Sequence, residues 1–206
     1  RRTAAASALA ADLLARKDAR DLLIVGTGQL SLAVAAAHCA VRGYTSVSIW
    51  GRSGEKAAAI ATALGEQGLP ARAVDDLETA CRSADVISTV TASTRPIIQG
   101  GWLKPGSHLD LIGAFKDDMR ESDDQAVQQA EVFVDLRAGA SLAGDLSQPL
   151  QAGQITPEHI RADLAELCQG THAGRSDDSA RTVFKSAGMA LQDLAAATMA
   201  SDHTIL

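Results

Sequence analysis

The sequence predicts an α/β protein with a doubly wound, mostly parallel sheet and helices on both faces. Short apolar runs such as 21–25 and 46–50 alternate along the chain with longer helix-forming segments, and such alternation produces parallel strands joined by right-handed crossovers. Hydrophobic residues make up 46% of the 206 residues and aromatic residues only 3%. A core of Ala, Val, Leu and Ile is typical of parallel sheets covered on both faces. The sequence therefore indicates a Rossmann-type fold.

The predicted elements follow in order from the amino terminus to residue 134. The first helix, residues 3–16, consists of strong helix formers, with Leu9, Leu13 and Leu14 as an apolar stripe. The other helices are predicted at 29–41, 55–64 with stop signals at Gly65 and Gly68, 76–83, and 122–130. Strands are predicted at 21–25, 46–50, 71–74, 86–90, 108–112 and 132–134.

Beyond Asp135 the alternation becomes irregular, and residues 138–155 form a looser stretch. Thr156 and Pro157 provide an N-cap and a first-turn proline for a helix to about residue 167, with Gly170 just beyond it. A final helix is predicted at about 188–200. The chain is divided into a connecting helix (1–17), a nucleotide-binding Rossmann domain (18–180) and a C-terminal helix (181–206).

Composition excludes several classes of function. The formal net charge is −6 and no run of Lys or Arg occurs, so nucleic acid is not an expected partner. No stretch of about 18 apolar residues is present, and we expect a soluble, cytoplasmic protein with no membrane partner. The three cysteines, Cys39, Cys81 and Cys168, are widely spaced and predicted to be reduced. The five histidines lack ligand spacing, so no metal is expected.

A glycine-rich loop follows the first strand and opens the next helix. Gly26 permits a tight turn, Gly28 lets the backbone approach a diphosphate, and the small Ser31 allows close packing of the helix. Thr27, Gln29 and Leu30 complete the loop. The N–H groups of the helix N-terminus favour an anion, so the loop predicts a dinucleotide site. A simple turn is the alternative.

The end of the second strand predicts the cofactor. A carboxylate there would bind the ribose 2′-hydroxyl of NAD(H), but this sequence has Gly51, Arg52 and Ser53, with Lys56 one turn later. Arg52 can stack on adenine or pair with a 2′-phosphate, and Ser53 can donate a hydrogen bond to it. NADP(H) is therefore favoured over NAD(H). In the alternative interpretation Arg52 and Lys56 are solvated loop residues.

The ends of the fourth and fifth strands are candidates for the remainder of the cofactor. Thr89, Val90 and Thr91 begin a hydroxyl-rich segment at the carboxyl end of the fourth strand, where ligands bind in open α/β sheets. Ile112 and Gly113 end the fifth strand, where a small residue lets a flat nicotinamide ring approach. Ordinary β-propensity with a Ser/Thr turn, and a structural glycine, are the alternatives.

Several motifs occur in the same order as in the ornithine cyclodeaminase and mu-crystallin superfamily, which the chain resembles along essentially its whole length. These motifs are Arg2-Thr-Ala-Ala5, Gly26-Thr-Gly28, Ala84-Asp-Val-Ile87 followed by Thr89-Val-Thr91, Trp102-Leu-Lys-Pro-Gly106, and Phe184-Lys-Ser186 with Gly188. Within the superfamily, the segment Leu111-Ile-Gly-Ala-Phe-Lys-Asp-Asp-Met-Arg-Glu121 resembles the Δ1-pyrroline-2-carboxylate and Δ1-piperideine-2-carboxylate reductases.

The resemblance implies an enzyme that reduces a cyclic imino acid to L-proline or L-pipecolate by hydride transfer to C=N. Cyclodeaminases place a catalytic aspartate after the strand-end glycines, and the matching position here is Ala114, so that mechanism is not favoured. Ornithine cyclodeaminase or an alanine-dehydrogenase-like activity remains one alternative. A ligand-binding protein similar to mu-crystallin, using NADPH, is another.

The resemblance also implies roles for residues near both ends of the chain. Arg2 would hold the substrate carboxylate, and Ser186 would line the pocket shared by nicotinamide and substrate. A solvated terminus and a helix cap are the alternatives. Asp117, Asp118 and Glu121 are carboxylic acids that could act as acid catalysts, but a charged surface loop is the favoured interpretation.

Members of the superfamily carry an N-terminal dimerisation and substrate domain before the Arg-Thr-Ala-Ala motif. The resemblance therefore implies that the first and last helices belong to a second domain that this chain largely lacks. It also implies a homodimer. The apolar residues Met189, Leu191 and Leu194 of the final helix would be exposed without that domain.

Overall fold

A computed structural model describes residues 2–204 of the chain, with side chains through residue 201. Residues 1, 205 and 206 of the two predicted end segments lie outside this range. The strands are β1 (Asp21–Val25), β2 (Ser46–Trp50), β3 (Ala71–Ala73), β4 (Val86–Thr89), β5 (His108–Leu111), β6 (Ala130–Val134), β7 (Ile160–Asp163) and β8 (Arg181–Lys185). The helices are α1 (Arg2–Leu14), α2 (Ser31–Val41), α3 (Gly54–Gly65), α4 (Leu77–Ser83), α5 (Asp124–Gln128), α6 (Arg137–Ala140), α7 (Gly144–Gln151), α8 (Leu164–Gln169) and α9 (Ala190–Thr204).

All eight strands form one parallel sheet in the order β3-β2-β1-β4-β5-β8-β6-β7. The chain runs outward from β1 to β3, then returns to place β4 on the other side of β1. This reversal creates a switch point between β1 and β4, where the carboxyl ends of the strands open a crevice. The predicted fold class is confirmed.

Two apolar layers cover the sheet because consecutive residues of a strand face opposite sides. In β1, Leu22 and Ile24 pack under α1, α2 and α3, whereas Leu23 and Val25 pack under α4 and α5. Each of these buried side chains contributes about 1.5–3 kcal/mol to folding. The α1 helix packs through its alanines. Of its three leucines, Leu14 is buried but Leu9 is exposed.

The prediction of a helix at 156–167 is wrong. Pro157–His159 forms a single 3₁₀ turn, and β7 follows it. Ile160 and Ala162 are buried while the intervening Arg161 is exposed, which is the alternation of a strand. The segment forms a strand and not the helix that Pro157 predicts, because β7 pairs with β6. A capping box between Asp163 and Glu166 starts α8 instead, and Gly170 ends it in the left-handed conformation, as expected.

Two further segments differ from the prediction. The looser stretch 138–155 contains α7 and part of α6. Strand β8 lies inside the sheet, between β5 and β6, although its residues were assigned to the C-terminal helix. The three-part division of the chain otherwise stays a prediction. As expected, Leu191 and Leu194 of α9 are exposed. Among the described residues, no helix is both long and apolar enough to cross a bilayer.

Candidate functional site

The crevice at the carboxyl ends of the strands contains two adjoining cavities. The first has a volume of about 650 Å³ and lies between the ends of β1, β2 and β4. The second, of about 430 Å³, extends from the start of α2 to the ends of β5 and β8. Both are lined by Val90, Thr91 and Ala92, so they form one continuous crevice that follows the strand ends.

The glycine-rich loop forms the floor where the cavities meet. Gly26 has a φ of +130°, and a Cβ atom there would lie 2.6 Å from the carbonyl oxygen of Val90, so the protein itself requires glycine. A Cβ at Gly28 would meet no atom within 4 Å. Leu30 occupies the N-cap position of α2 and provides no side-chain acceptor for the first turn. Open space above uncapped N–H groups fits the diphosphate of a dinucleotide.

Residues from the end of β2 line the first cavity. A Cβ at Gly51 would lie 2.5 Å from the Thr27 side chain, which explains the glycine. The Ser53 side chain accepts a hydrogen bond from the N–H of Lys56 and caps α3. Arg52 and Lys56 line the cavity, and so does Arg95 from the segment after β4. Among the described lining residues none carries a carboxylate, so this end of the crevice favours an anion.

The ends of β4 and β5 approach each other closely. A Cβ at Gly113 would lie 1.9 Å from the carbonyl oxygen of Thr91. Ile112 and Gly113, both predicted to bind the cofactor, line the second cavity. Thr89 does not line either cavity: it is fully buried, and its hydroxyl donates to the carbonyl of Asp110. Its predicted contact with the cofactor is therefore not supported.

The loop after β5 places its side chains differently from the prediction. Ala114 is fully buried beneath the crevice, whereas its neighbour Phe115 is 57% exposed and lines the second cavity. Asp117 and Asp118 are exposed, as expected of a charged loop. Glu121 is 0% exposed, so its assignment to the surface was wrong.

Glu121 bridges the ends of β4 and β5. Its Oε1 accepts hydrogen bonds from the N–H (2.7 Å) and hydroxyl (2.9 Å) of Thr91. Its Oε2 accepts from the N–H groups of Gly113 (2.7 Å) and Ala114 (3.2 Å). Burial raises the pKa of Glu121, and the charge of Asp145 adds to this, while that of Lys185 opposes it. The backbone of the crevice is therefore fixed by a buried carboxyl group.

A buried ion pair lies behind Glu121. The Lys185 Nζ is 3.0 Å from Oδ2 of Asp145, and both side chains are fully buried. The other oxygen of Asp145 accepts the N–H groups of Glu121 (2.8 Å) and Ser122 (3.0 Å). Lys185 ends β8, and the ion pair therefore connects that strand to the loop that carries Glu121.

Arg2 and Ser186 both line the second cavity. Arg2 donates to Oε1 of Gln192 (3.1 Å) and pairs with Asp193 (2.8 Å) on α9. The Ser186 hydroxyl donates to Oδ2 of Asp135 (2.9 Å). A guanidinium has more N–H donors than these two contacts use, so Arg2 can still hold a carboxylate in the cavity.

Of the predicted residues, the crevice brings together the glycine loop, the end of β2, Arg2 and Ser186. Phe115 and the Lys185–Asp145 pair were not among the predicted residues, and Glu121 was wrongly assigned to the surface. A signal for Lys185 exists: it is a charged residue directly after the apolar pair Val183-Phe184. A charge at that place in a central strand needs a buried partner, although the partner itself cannot be read from the sequence.

The family model for "Ornithine cyclodeaminase/mu-crystallin family" matches residues 1–205. A Δ1-pyrroline-2-carboxylate reductase from Paracoccus denitrificans is 42% identical over 195 residues, which cover 94% of this chain and 62% of that protein. The chain thus spans less than two thirds of the length of this relative.

Solved structures show the same relationship. The Δ1-pyrroline-2-carboxylate reductase of Thermococcus litoralis, in complex with NADH and L-proline, superposes with a TM-score of 0.95 and 30% identity, covering 99% of this chain and 64% of that one. The iminosuccinate reductase of Paracoccus denitrificans, in complex with NAD⁺, gives a TM-score of 0.90 and 32% identity, with coverages of 96% and 60%. The predicted resemblance is confirmed, and the chain belongs to the ornithine cyclodeaminase/mu-crystallin family.

Proposed function

We propose that this chain forms the nucleotide-binding part of an NAD(P)H-dependent reductase of cyclic imino acids, with Δ1-pyrroline-2-carboxylate as substrate and L-proline as product. The observation that carries the proposal is the continuous crevice, which runs from Arg52 and Lys56 past the open space at Gly28 to Arg2 and Gly113. It offers an anion site for a diphosphate and, beyond it, a wall of backbone for a flat ring. The similarity to two imine-reducing enzymes supports the reaction class.

The chemistry assigns separate tasks to the two ends of this crevice. A bound reduced nicotinamide supplies the hydride that converts the protonated C=N bond to CH–NH. The side chains of this chain bind and orient: Arg2 holds the substrate carboxylate, and Gly113 leaves room for the ring. Phe115 contributes an apolar surface beside them. Correct placement of two reactants accounts for a large part of the acceleration in such reactions.

The ring size of the substrate is a finer part of the proposal. Δ1-Piperideine-2-carboxylate, which would give L-pipecolate, has the same carboxylate and C=N bond with one more methylene. A hydrophobic pocket discriminates against one methylene by only about 1–3 kcal/mol. We therefore propose that both imines are reduced, the smaller and larger rings differing mainly in KM.

NADP(H) rather than NAD(H) remains our proposed cofactor. Arg52, Lys56 and Arg95 supply three cations to the adenosine end of the crevice, which suits a 2′-phosphate. The solved relatives were described with NADH and NAD⁺, so the preference has to be tested on this protein. We also propose a homodimer, in agreement with the exposed apolar residues Leu191 and Leu194 on α9.

The test is a reductase assay of the complete protein with Δ1-pyrroline-2-carboxylate, using NADPH and NADH in parallel. We expect oxidation of both, with a higher kcat/KM for NADPH. Arg52→Ala should reduce the NADPH preference about tenfold, whereas Arg72→Ala, an exposed cation outside the cavities, should not change it. Release of ammonia from ornithine without reduction of the imine would contradict the proposal. Tight ligand binding without turnover would contradict it as well.

A further inference from the structure

We propose that Glu121 is a positioning residue that sets the geometry of the nicotinamide half of the crevice. The proposal rests on the proposed function, because it assigns the second cavity to the nicotinamide end. It concerns a residue that has no contact with either cavity: Glu121 acts through the backbone of Thr91 and Gly113, which do line the second cavity.

Several hydrogen-bond donors from two strand ends converge on Glu121. Four hydrogen bonds of 2.7–3.2 Å reach its two oxygens, from Thr91, Gly113 and Ala114. Three of the donors are backbone N–H groups at the ends of parallel strands, where the sheet ladder no longer supplies acceptors. A single carboxylate thus fixes the distance between the ends of β4 and β5.

Only a group with two acceptor oxygens fits all four donors. An ionised carboxylate is acceptor-only, whereas an amide of the same shape has one oxygen and one NH₂ group. In Glu121→Gln, the NH₂ group would face one of the two pairs of donors. That pair would have to move away, which displaces either Thr91 or the segment of Gly113 and Ala114.

The surroundings of Glu121 cannot absorb a displacement of either strand end. A Cβ atom built on Gly113 would lie 1.9 Å from the carbonyl oxygen and 2.3 Å from the nitrogen of Thr91, so the two strand ends are in close backbone contact. On the other side, the buried pair of Lys185 and Asp145 fixes the N–H of Glu121. Movement of one strand end is therefore passed to the cavity wall.

The structure contains a matched control at the opposite edge of the sheet. Asp85 is nearly buried and also accepts two backbone N–H groups, those of Arg20 (2.8 Å) and Asp21 (3.1 Å). It lines neither cavity. Replacement of Asp85 by Asn removes a comparable support of the strand ends at the edge far from the crevice.

The experiment measures binding of two ligands by calorimetry: NADPH, and 2′-phospho-ADP-ribose, which lacks the nicotinamide. In Glu121→Gln the Kd of NADPH should rise about tenfold or more, because the displaced strand end fits the nicotinamide less well; a tenfold rise corresponds to a loss of about 1.4 kcal/mol of binding free energy. The Kd of the fragment should stay unchanged. Asp85→Asn should lower Tm and leave both dissociation constants unchanged.

Equal NADPH affinity of Glu121→Gln and wild type would overturn the proposal, as would parallel weakening of both ligands. If Glu121→Gln does not fold, Glu121→Asp is measured instead. Aspartate keeps two acceptor oxygens, but its side chain is one methylene shorter and holds them farther from the donors. The same selective loss of NADPH affinity is expected. Wild-type protein that binds neither ligand contradicts the proposed function and the role of Glu121 with it. Wild-type binding without a selective loss in the variant contradicts the role of Glu121 alone.

Discussion

A buried carboxylate accepts backbone N–H groups at both edges of the sheet: the amino edge, where the parallel strands begin, and the carboxyl edge, where they end. The charges around the two carboxylates are arranged differently. At the amino edge, the carboxylate of Asp85 accepts backbone N–H groups at the start of β1 and is flanked by the cations Arg16 (3.0 Å) and Lys104 (2.7 Å). At the carboxyl edge, Glu121 accepts backbone N–H groups beyond β4 and β5, but its cation Lys185 lies behind it, paired with Asp145. The side of the backbone opposite Glu121 faces the crevice.

The difference shows how a parallel sheet separates stability from binding. At the amino edge the cations stand over the carboxylate near solvent, so the charges neutralise one another at the surface. At the carboxyl edge the neutralising pair is placed within the core, which leaves the strand-end backbone of Thr91 and Gly113 free to line a cavity. This arrangement follows the general location of ligands at the carboxyl ends of parallel strands.

The largest expected effect is the loss of the buried cation. Lys185→Met leaves the carboxylates of Asp145 and Glu121 buried without a counter-charge, and removal of one partner of such a pair costs about 3–5 kcal/mol. Urea denaturation should show this decrease in the free energy of unfolding. The matched variant at the amino edge, Lys104→Met, should cost only about 1 kcal/mol because Lys104 is partly exposed. Equal losses in the two variants would show that the edges do not differ in this way.

The pH dependence of stability should separate the two carboxylates. Burial acts to raise the pKa of Asp85, but the N–H of Arg20 and the ammonium of Lys104 outweigh it and hold the pKa below its ordinary value of 3.8. Its stabilisation is therefore present above that value and is lost as the pH falls through the lowered pKa. We expect Asp85→Asn to be about 1–3 kcal/mol less stable than wild type at neutral pH, with the gap closing in acid.

Glu121 should show the opposite trend, because its folded-state pKa is raised from the ordinary value of 4.5, chiefly by burial. Its contribution is fully present below 4.5 and declines as the pH rises through the raised pKa. Wild type should accordingly lose stability relative to Glu121→Gln as the pH rises above 4.5. Urea denaturation of wild type and both variants from below pH 3.8 to neutrality tests the contrast, and gaps that change in the same direction would refute it.

The sequence predicted those features that are local. The turn at Gly26, the open position at Gly28 and the absence of a carboxylate after β2 depend on short segments with fixed geometry, and the structure places all of these segments around the crevice. The succession of β1 to β5 along the chain followed from the alternation of apolar and helix-forming segments. These patterns suffice for the fold class and for the outline of the cavity lining.

What failed depends on contacts between distant segments. Pro157 signals a helix start in any local reading, yet the pairing of Ile160 and Ala162 with β6 imposes a strand. Glu121 follows two exposed aspartates and was assigned with them to the surface, because nothing nearby in sequence indicates the donors from Thr91 and Gly113. The position of β8 within the sheet is likewise set by pairing with β5 and β6.

The measurement that tests the central claim most directly is titration of wild type and Gly28→Ala with NADPH. A Cβ at Gly28 meets no protein atom within 4 Å, so the variant should fold with a Tm equal to that of wild type. The new methyl group would occupy the space assigned to the diphosphate, and we expect the Kd to rise about tenfold or more. Unchanged affinity at unchanged Tm would show that the dinucleotide does not bind over this loop.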